Sequence, residues 1–466
     1  MKKFIIKISL LVIAPLTIVS CSSDALDPEL STVRDVSQDP VKSETDLMYL
    51  VNGMYKRMRS VAYYGRDFVI FNEARTDNAY SVGYSNRFVT ITEMRVTKND
   101  AYPIDTWRAM YQVILNANYV INSENITGNQ EAIDDYVGQA YLGRALAHFD
   151  LTKLYGQQHV TGAGGSQALT VPFVSTFPTN SDQGLGFGTT RITLQEMRAN
   201  IYADLDQAIA KISNTNAKAF TKQAAYGLKS RMALYFSTFF PEDKQVAYDS
   251  AIEALGMGGS VIPSADYLKQ YLGNEIDVNS VFQLSMPSND HLSSNSLAEM
   301  YSGEAYGDIV AMPDALEIFL DENDVRTTVF GYDSYEDFRN MHKYNQYADD
   351  VIVMRYEEIL LNAAEAASLL GMTSEATDLI NSLIEKRGIE GSLELYSQVT
   401  LEDVRLERRK ELMFEGFRYD DLLRFQENVP ENPRLTGGVP YGDPKLAFPI
   451  PQAEINASGM IQNQGY

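Results

Sequence analysis

Leu194, Met197, Ile201, Leu205, Ala208 and Ile212 recur at steps of three or four residues, the spacing that lays one apolar stripe along an α-helix. Ala225, Leu228, Met232 and Tyr235 follow the same rule until Pro241 stops it. A short link separates these two predicted helices, so they can pack as a hairpin. Val137, Tyr141, Ala145 and Phe149 mark another helix ahead of Gly156. Ile352, Tyr356, Ile359, Ala363, Ala367 and Leu370 mark one ahead of Gly371, and residues 374–386 supply its partner, closed by Gly388. No regular alternation of strands and helices points to a parallel sheet. The Ala- and Tyr-rich hairpins resemble tetratricopeptide units, without a strict repeat of about 34 residues.

Two stretches break the pattern: residues 157–192, with "GAGGSQ" and "GLGFGTT", and residues 256–350, which mix Gly, Pro, Ser and many tyrosines. Long irregular segments inside a globular chain are usually functional loops, so a ligand site is expected there.

Composition narrows the function. A chain of 466 residues with 45% hydrophobic residues can bury a large core. With 62 acidic against 39 basic residues and a formal charge of −23, it lacks the basic surface that phosphate backbones require, which excludes nucleic acid as a partner. The opening "MKKFIIKISLLVIAPLTIVSCSSD" has lysines, an apolar stretch and then small residues around the single cysteine, Cys21. It reads as a secretory signal over residues 1–20 that resembles a bacterial lipobox, with Cys21 as the lipidated first residue and residues 21–40 as an acidic tether. The acyl chains would hold the protein on a membrane and leave the rest in water.

HExxH, EF-hand, Walker A and G-x-S-x-G signatures are all missing. His148, His159, His291 and His342 lack ligand spacing, and "DENDVR" (321–326) reads as a solvated loop. No metal or cofactor is expected. The densest chemistry is "ERRKELMFEGFRYDDLLRF", residues 407–425. Drawn as one helix, it places Arg408, Glu411, Glu415 and Arg418 within an arc of about 80°. Val404 and Leu422 share that arc, so the charged face is expected to be packed, each carboxylate meeting a guanidinium. Catalysis by Glu411 and Glu415 is the competing reading. Neighbouring arginines would hold both carboxylates ionised, the wrong state for a general acid.

"ERRKELMFEGFRYDDLLR" resembles the signature of the SusD/RagB family of surface lipoproteins. Also in the family's order stand "WRAMYQVILNANYVI" (107–121), "GQAYLGRALAHFDLTKLYG" (138–156), "TKQAAYGLKSRMALYF" (221–236), "VMRYEEILLNAAEA" (353–366), "INSLIEKRG" (380–388) and the ending "AFPIPQAEINASGMIQNQGY". Gly143, in "AYLGRA", departs from an aromatic common at that place. The resemblance implies an all-α fold in which tetratricopeptide-like helical hairpins, an α-α superhelix, support an irregular, loop-rich lobe. One domain would span 41–466, with scaffold at about 41–156, 193–256 and 351–425 and loop-rich segments at about 62–103, 157–192 and 256–350. It implies no enzymatic activity, a SusC-like TonB-dependent transporter as partner, lipid anchoring in the outer membrane facing the medium, and capture of nutrient oligomers, glycans or, as in RagB-like members, peptides. Arg408, Glu411, Glu415, Arg418, Asp421 and Arg424 would then be scaffold, and Trp107 core.

The ligand shelf implied by the resemblance falls on "RTDNAYSVGYSNR" (75–87) and "MYSGEAYGD" (300–308). Asp77, Asn78 and Arg87 would supply hydrogen bonds and Tyr80, Tyr84, Tyr301 and Tyr306 flat faces, with Tyr344 and Tyr347 as the alternative location. Two rivals stay open. One is an all-α inverting glycoside hydrolase, against which the single Trp counts. The other is a structural lid whose ligand contacts belong to the transporter.

Overall fold

The computed structural model describes residues 41–177, 189–302, 306–391 and 393–466. Cys21, the signal and the tether lie outside them, as do residues 184–188 of the second glycine cluster. From Val41 onward the chain forms one unit.

Several of its long helices begin where polar caps satisfy the first free amides. α1 (Glu44–Met58) opens with a capping box of Ser43 and Asp46. Asp100 caps α4 (Ala101–Ile121) and Asn129 caps α5 (Gln130–Tyr155); α2 (Asp67–Phe71) and α3 (Val89–Thr92) are short turns before them. Thr193 and Glu196 box α6 (Leu194–Lys211), and Thr221 caps α7 (Lys222–Phe236), which α8 (Asp243–Gly256) follows. After α9 (Leu297–Tyr301) come α10 (Tyr356–Leu369), α11 (Thr373–Ile384), α12 (Leu401–Leu412), α13 (Arg418–Arg424) and α14 (Gln452–Ser458). Packing follows chain order: α1 lies on α4 and α5, α4 on α5, α5 on α6, α6 on α7, α7 on α8, α8 on α10, and α10 on α11 and α12. The result is the all-α, tetratricopeptide-like array expected from the periodicity.

Gly143 has a local reason. A Cβ there would collide with Met54 Sδ of α1, so the close α1–α5 approach leaves no room for the aromatic common elsewhere. Trp107 is core, with its ring edge-on to Tyr155 at 5.0 Å.

One helical stripe begins later than its spacing predicts. Ile352 lies on β6 (Val351–Arg355), which pairs antiparallel with β2 (Ser280–Leu284), and the helix starts only at Tyr356. The β-branched run Val351, Ile352, Val353 suits a strand, and its partner lies in a segment whose pattern is irregular. Two further antiparallel pairs stiffen the lobe: β1 (Ala79–Ser81) with β3 (Ile309–Ala311), and β4 (Phe330–Tyr332) with β5 (Phe338–Asn340).

The run 407–425 is not one helix. α12 ends at Leu412, Phe414 and Gly416 take φ of 68° and 85°, and α13 starts at Arg418. A side chain at Gly416 would press on Val69 Cα at 3.0 Å. The four charged residues therefore find partners on other elements and not on a shared helical face. Arg355 reaches Glu411 Oε1 at 2.7 Å and Glu415 at 2.9 Å, and Arg387 reaches Glu411 Oε2 at 2.7 Å. Lys343 donates to Glu415 Oε1 at 2.7 Å, Arg408 to Asp421 at 2.9 Å, and Arg418 to Asp77 at 2.7 Å. Burial alone would raise the Glu411 and Glu415 carboxyls, but these cations hold both below the usual carboxylate range.

Candidate ligand-binding surface

The lobe surface is built on a loop, residues 82–88, that leaves β1 through backbone conformations favouring small or amide residues: Gly83 has φ 74° and Asn86 φ 63°. Ser81 Oγ accepts from the Gly83 amide at 3.1 Å and donates to the Arg87 carbonyl at 2.7 Å. The Ser85 amide donates to Asp308 Oδ1 at 2.9 Å, just before β3. Held this way, the loop lifts Tyr84 into solvent at 62% exposure.

On one side of the loop, the Tyr84 hydroxyl donates to Asp337 Oδ2 at 2.8 Å, and that bond raises the phenol above its ordinary pKa. Asp337 belongs to the turn between β4 and β5. There Asp333 Oδ1 accepts from the Tyr335 and Asp337 amides at 2.8 and 2.9 Å, and Tyr332 and Tyr335 stand exposed. Fully buried Arg339 ties this turn to β3, donating to Asp337 at 2.8 Å and to the Gly307 carbonyl at 2.7 Å. On the other side, the Arg87 guanidinium lies over the Tyr306 ring at 3.9 Å. Tyr347, 41% exposed, donates its hydroxyl to Glu299 and lies 5.6 Å from His291. The arrangement presents flat aromatic faces beside fixed carboxylates and one guanidinium, the chemistry that grips hydroxyl- or amide-rich oligomers.

Four of the residues expected on the shelf meet at this surface: half-buried Tyr80 on β1, with Tyr84, Arg87 and Tyr306. Three point elsewhere. Asp77 is engaged by Arg418 at 2.7 and 2.9 Å and by Arg409 at 3.0 Å. Burial would raise its carboxyl, but Arg418 and then Arg409 hold it below the usual range. Asn78 is buried, donating to Glu73 Oε2 at 2.9 Å and accepting from Arg409 at 2.9 Å. Tyr301 is 1% exposed, with its hydroxyl on the Phe414 carbonyl at 3.1 Å. Glycine and serine neighbours do not expose it, because the short α9 packs its whole length into the core. Tyr344 is buried as well, 5.8 Å from the ring of Tyr271. Spacing did not single out Asp337, Tyr332, Tyr335 or Arg339. The only signal for them was the alternation of acids and aromatics in "YDSYEDFR", residues 332–339.

Among the described residues no group of three His, Cys, Asp or Glu side chains could hold a metal. His148 donates from Nδ1 to the Arg144 carbonyl at 3.0 Å and accepts from the Val174 amide at 3.1 Å. Burial, then Arg144, depress it to about 3, so it stays neutral. A cavity of about 30 Å³ lies among Lys153, Arg231, Arg408, Asp420 and Arg424, room for a water or two and no more. No described helix is long and apolar enough to cross a membrane.

Comparison with known proteins adds the lineage. Residues 29–234 match a family model described as "Starch-binding associating with outer membrane", and residues 320–466 match the SusD family model. A SusD-like protein P2 of Formosa agariphila is 24% identical over the full length of both chains. A putative sugar binding protein from Bacteroides vulgatus superposes with a TM-score of 0.80 at 24% identity, covering 92% of this chain and 100% of its own. A SusD superfamily protein from the same species does so with a TM-score of 0.81 at 22% identity, covering 91% and 99%. With the two family models falling in order on the helical scaffold and on the charged C-terminal segment, the chain belongs to the SusD/RagB family.

Proposed function

We propose that this protein is a cell-surface binding protein that captures nutrient oligomers, glycans before peptides, and hands them to a SusC-like TonB-dependent transporter. In this reading it is anchored in the outer membrane through acyl chains on Cys21. The observation that supports capture is the loop 82–88, which sets exposed Tyr84 on an anchored Asp337 and lays Arg87 on Tyr306. Such rigid faces lose little entropy on binding. The name of the Bacteroides vulgatus sugar binding protein and the starch-binding description of the family model favour glycans. A binding role without catalysis fits the carboxylates of the charged run, which guanidiniums hold ionised and buried.

Calorimetry against a panel of neutral oligosaccharides and of peptides tests the reading. Binding to an oligosaccharide, weakened at least tenfold in Tyr84→Ala combined with Arg87→Ala at unchanged melting temperature, is the expected result. Full affinity in that variant would move the site, binding of peptides alone would replace the ligand class, and binding of neither would leave capture to the transporter. Cys21→Ala is expected to leave the outer-membrane fraction in cells lacking the transporter, and retention there would refute the anchor.

A further inference from the structure

Leu320 is 92% exposed, and Leu316 and Ile389 are 38% and 50% exposed. These apolar side chains belong to two stretches pinned side by side. The Ile389 amide donates to the Asn323 carbonyl at 2.8 Å, the Glu390 amide to Asn323 Oδ1 at 2.7 Å, and Asn323 Nδ2 to the Glu390 carbonyl at 3.0 Å. The edge is rigidly mounted. Phe319, between the two leucines, turns inward to Phe330 at 6.0 Å, with Arg326 and Lys410 above its ring. Asp324 is locked by Arg326, which also reaches Glu407 on α12 at 2.7 Å. A leucine held out in water by so many fixed neighbours is not a side effect of a loose loop.

Carboxylates flank the apolar side chains along both stretches. Asp314, Glu317, Asp321, Glu322 and Glu390 are exposed, and Lys386 is the one exposed cation among residues 314–323 and 385–391. From this we infer a docking edge for another protein, whose surface offers an apolar socket for Leu320 ringed by lysine or arginine. A second copy of this chain does not fit: pairing the edge with itself would set the same carboxylates face to face, in a protein already at −23. Nor does a nucleic acid, or the anionic headgroups of a membrane, which the same charges repel. The inference is independent of which oligomer the lobe binds.

The test is a photo-crosslinking residue placed at position 320 of the full chain, in the cells that make it, with the same residue at exposed Tyr49 of α1 as control. The expected result is one discrete protein adduct from position 320. Its crosslinked peptide, read by mass spectrometry, carries lysine or arginine beside apolar residues. The yield falls at least tenfold in Leu316→Asp with Ile389→Asp, and also when salt is raised from about 0.05 M to about 0.5 M, where exposed charges are screened. Both substitutions are at exposed positions, and an unchanged melting temperature verifies the fold. An adduct with a second copy, an adduct with lipid, equal yields from positions 320 and 49, or an adduct indifferent to both perturbations overturns the inference.

Discussion

Asp77 and Asp337 each sit within hydrogen-bonding reach of an arginine, yet they do opposite work. Asp77 is saturated by Arg418 and Arg409 inside the C-terminal clamp, whereas Asp337 shares its Oδ2 between Arg339 and the exposed Tyr84. Asp77→Ala should therefore cost about 2 kcal/mol of stability, the range for hydrogen bonds to charged groups, and leave the ligand affinity of the folded protein unchanged; chemical denaturation with calorimetry checks both. Glu73 makes a second residue-scale case. Its Oε1 accepts from the Gly416 amide at 2.7 Å and its Oε2 from Asn78, and among the described residues no cation bonds to it. Burial raises its pKa to about 7 from an ordinary 4.5. The folded form thus binds the proton more tightly than the unfolded one, so this group's contribution grows as pH falls from 7 to 4.5. Relative to Glu73→Gln, the wild type should gain about 3 kcal/mol over that interval. Parallel melting curves of the two across this range would contradict the assignment.

At the scale of elements, the break between α12 and α13 decides how the charged run works. An unbroken helix would aim Glu411 and Glu415 along one face. The turn at Phe414 to Gly416 instead drops Glu415 between Arg355 and Lys343, with Tyr271 donating to it at 3.0 Å. Glu415→Ala leaves Lys343 and part of Arg355 buried without their carboxylate, which typically costs about 3–5 kcal/mol. Gly416→Ala attacks the turn itself: a positive φ and a contact with the Val69 backbone together should cost about 2–4 kcal/mol. Thermal melts measure each. A Gly416→Ala protein as stable as the wild type would mean that the backbone turns elsewhere.

For the whole molecule, the buried ion pairs set the acid limit. Glu407, Glu411, Glu415 and Asp421 all have depressed carboxyl pKa values. Their stabilisation is present above the ordinary carboxylate range and is lost as pH falls through the folded values. His148 and His159 act in the same direction from higher pH: burial holds both neutral with pKa values of about 3, so the unfolded chain takes up their protons first and stability is lost as pH drops below 6.5. That loss offsets the gain at Glu73, and below about pH 4.5 Glu73 no longer opposes the losses at the ion pairs and histidines, so stability should collapse there. A melting series from pH 8 to about 2 checks it, and an unchanged melting temperature below about pH 4.5 would contradict it.

Helical periodicity was enough to determine the scaffold, because an apolar stripe at three- and four-residue steps can be buried only one way, and α5, α6, α7 and α11 fall where their stripes place them. The demand of the charged run for guanidinium partners was also legible, since buried carboxylates need them wherever they come from. Which partners answer was not legible. Arg355, Arg387 and Lys343 come from segments far away in the chain, and only tertiary packing brings them to Glu411 and Glu415. Exposure was decided there too. Tyr84 and Tyr301 have similar Gly- and Ser-rich neighbourhoods in sequence, but one rides a loop braced by Asp308 and the other ends a short helix packed along its whole length into the core. A side chain's accessibility depends on what the rest of the fold places over it, and no local pattern carries that information.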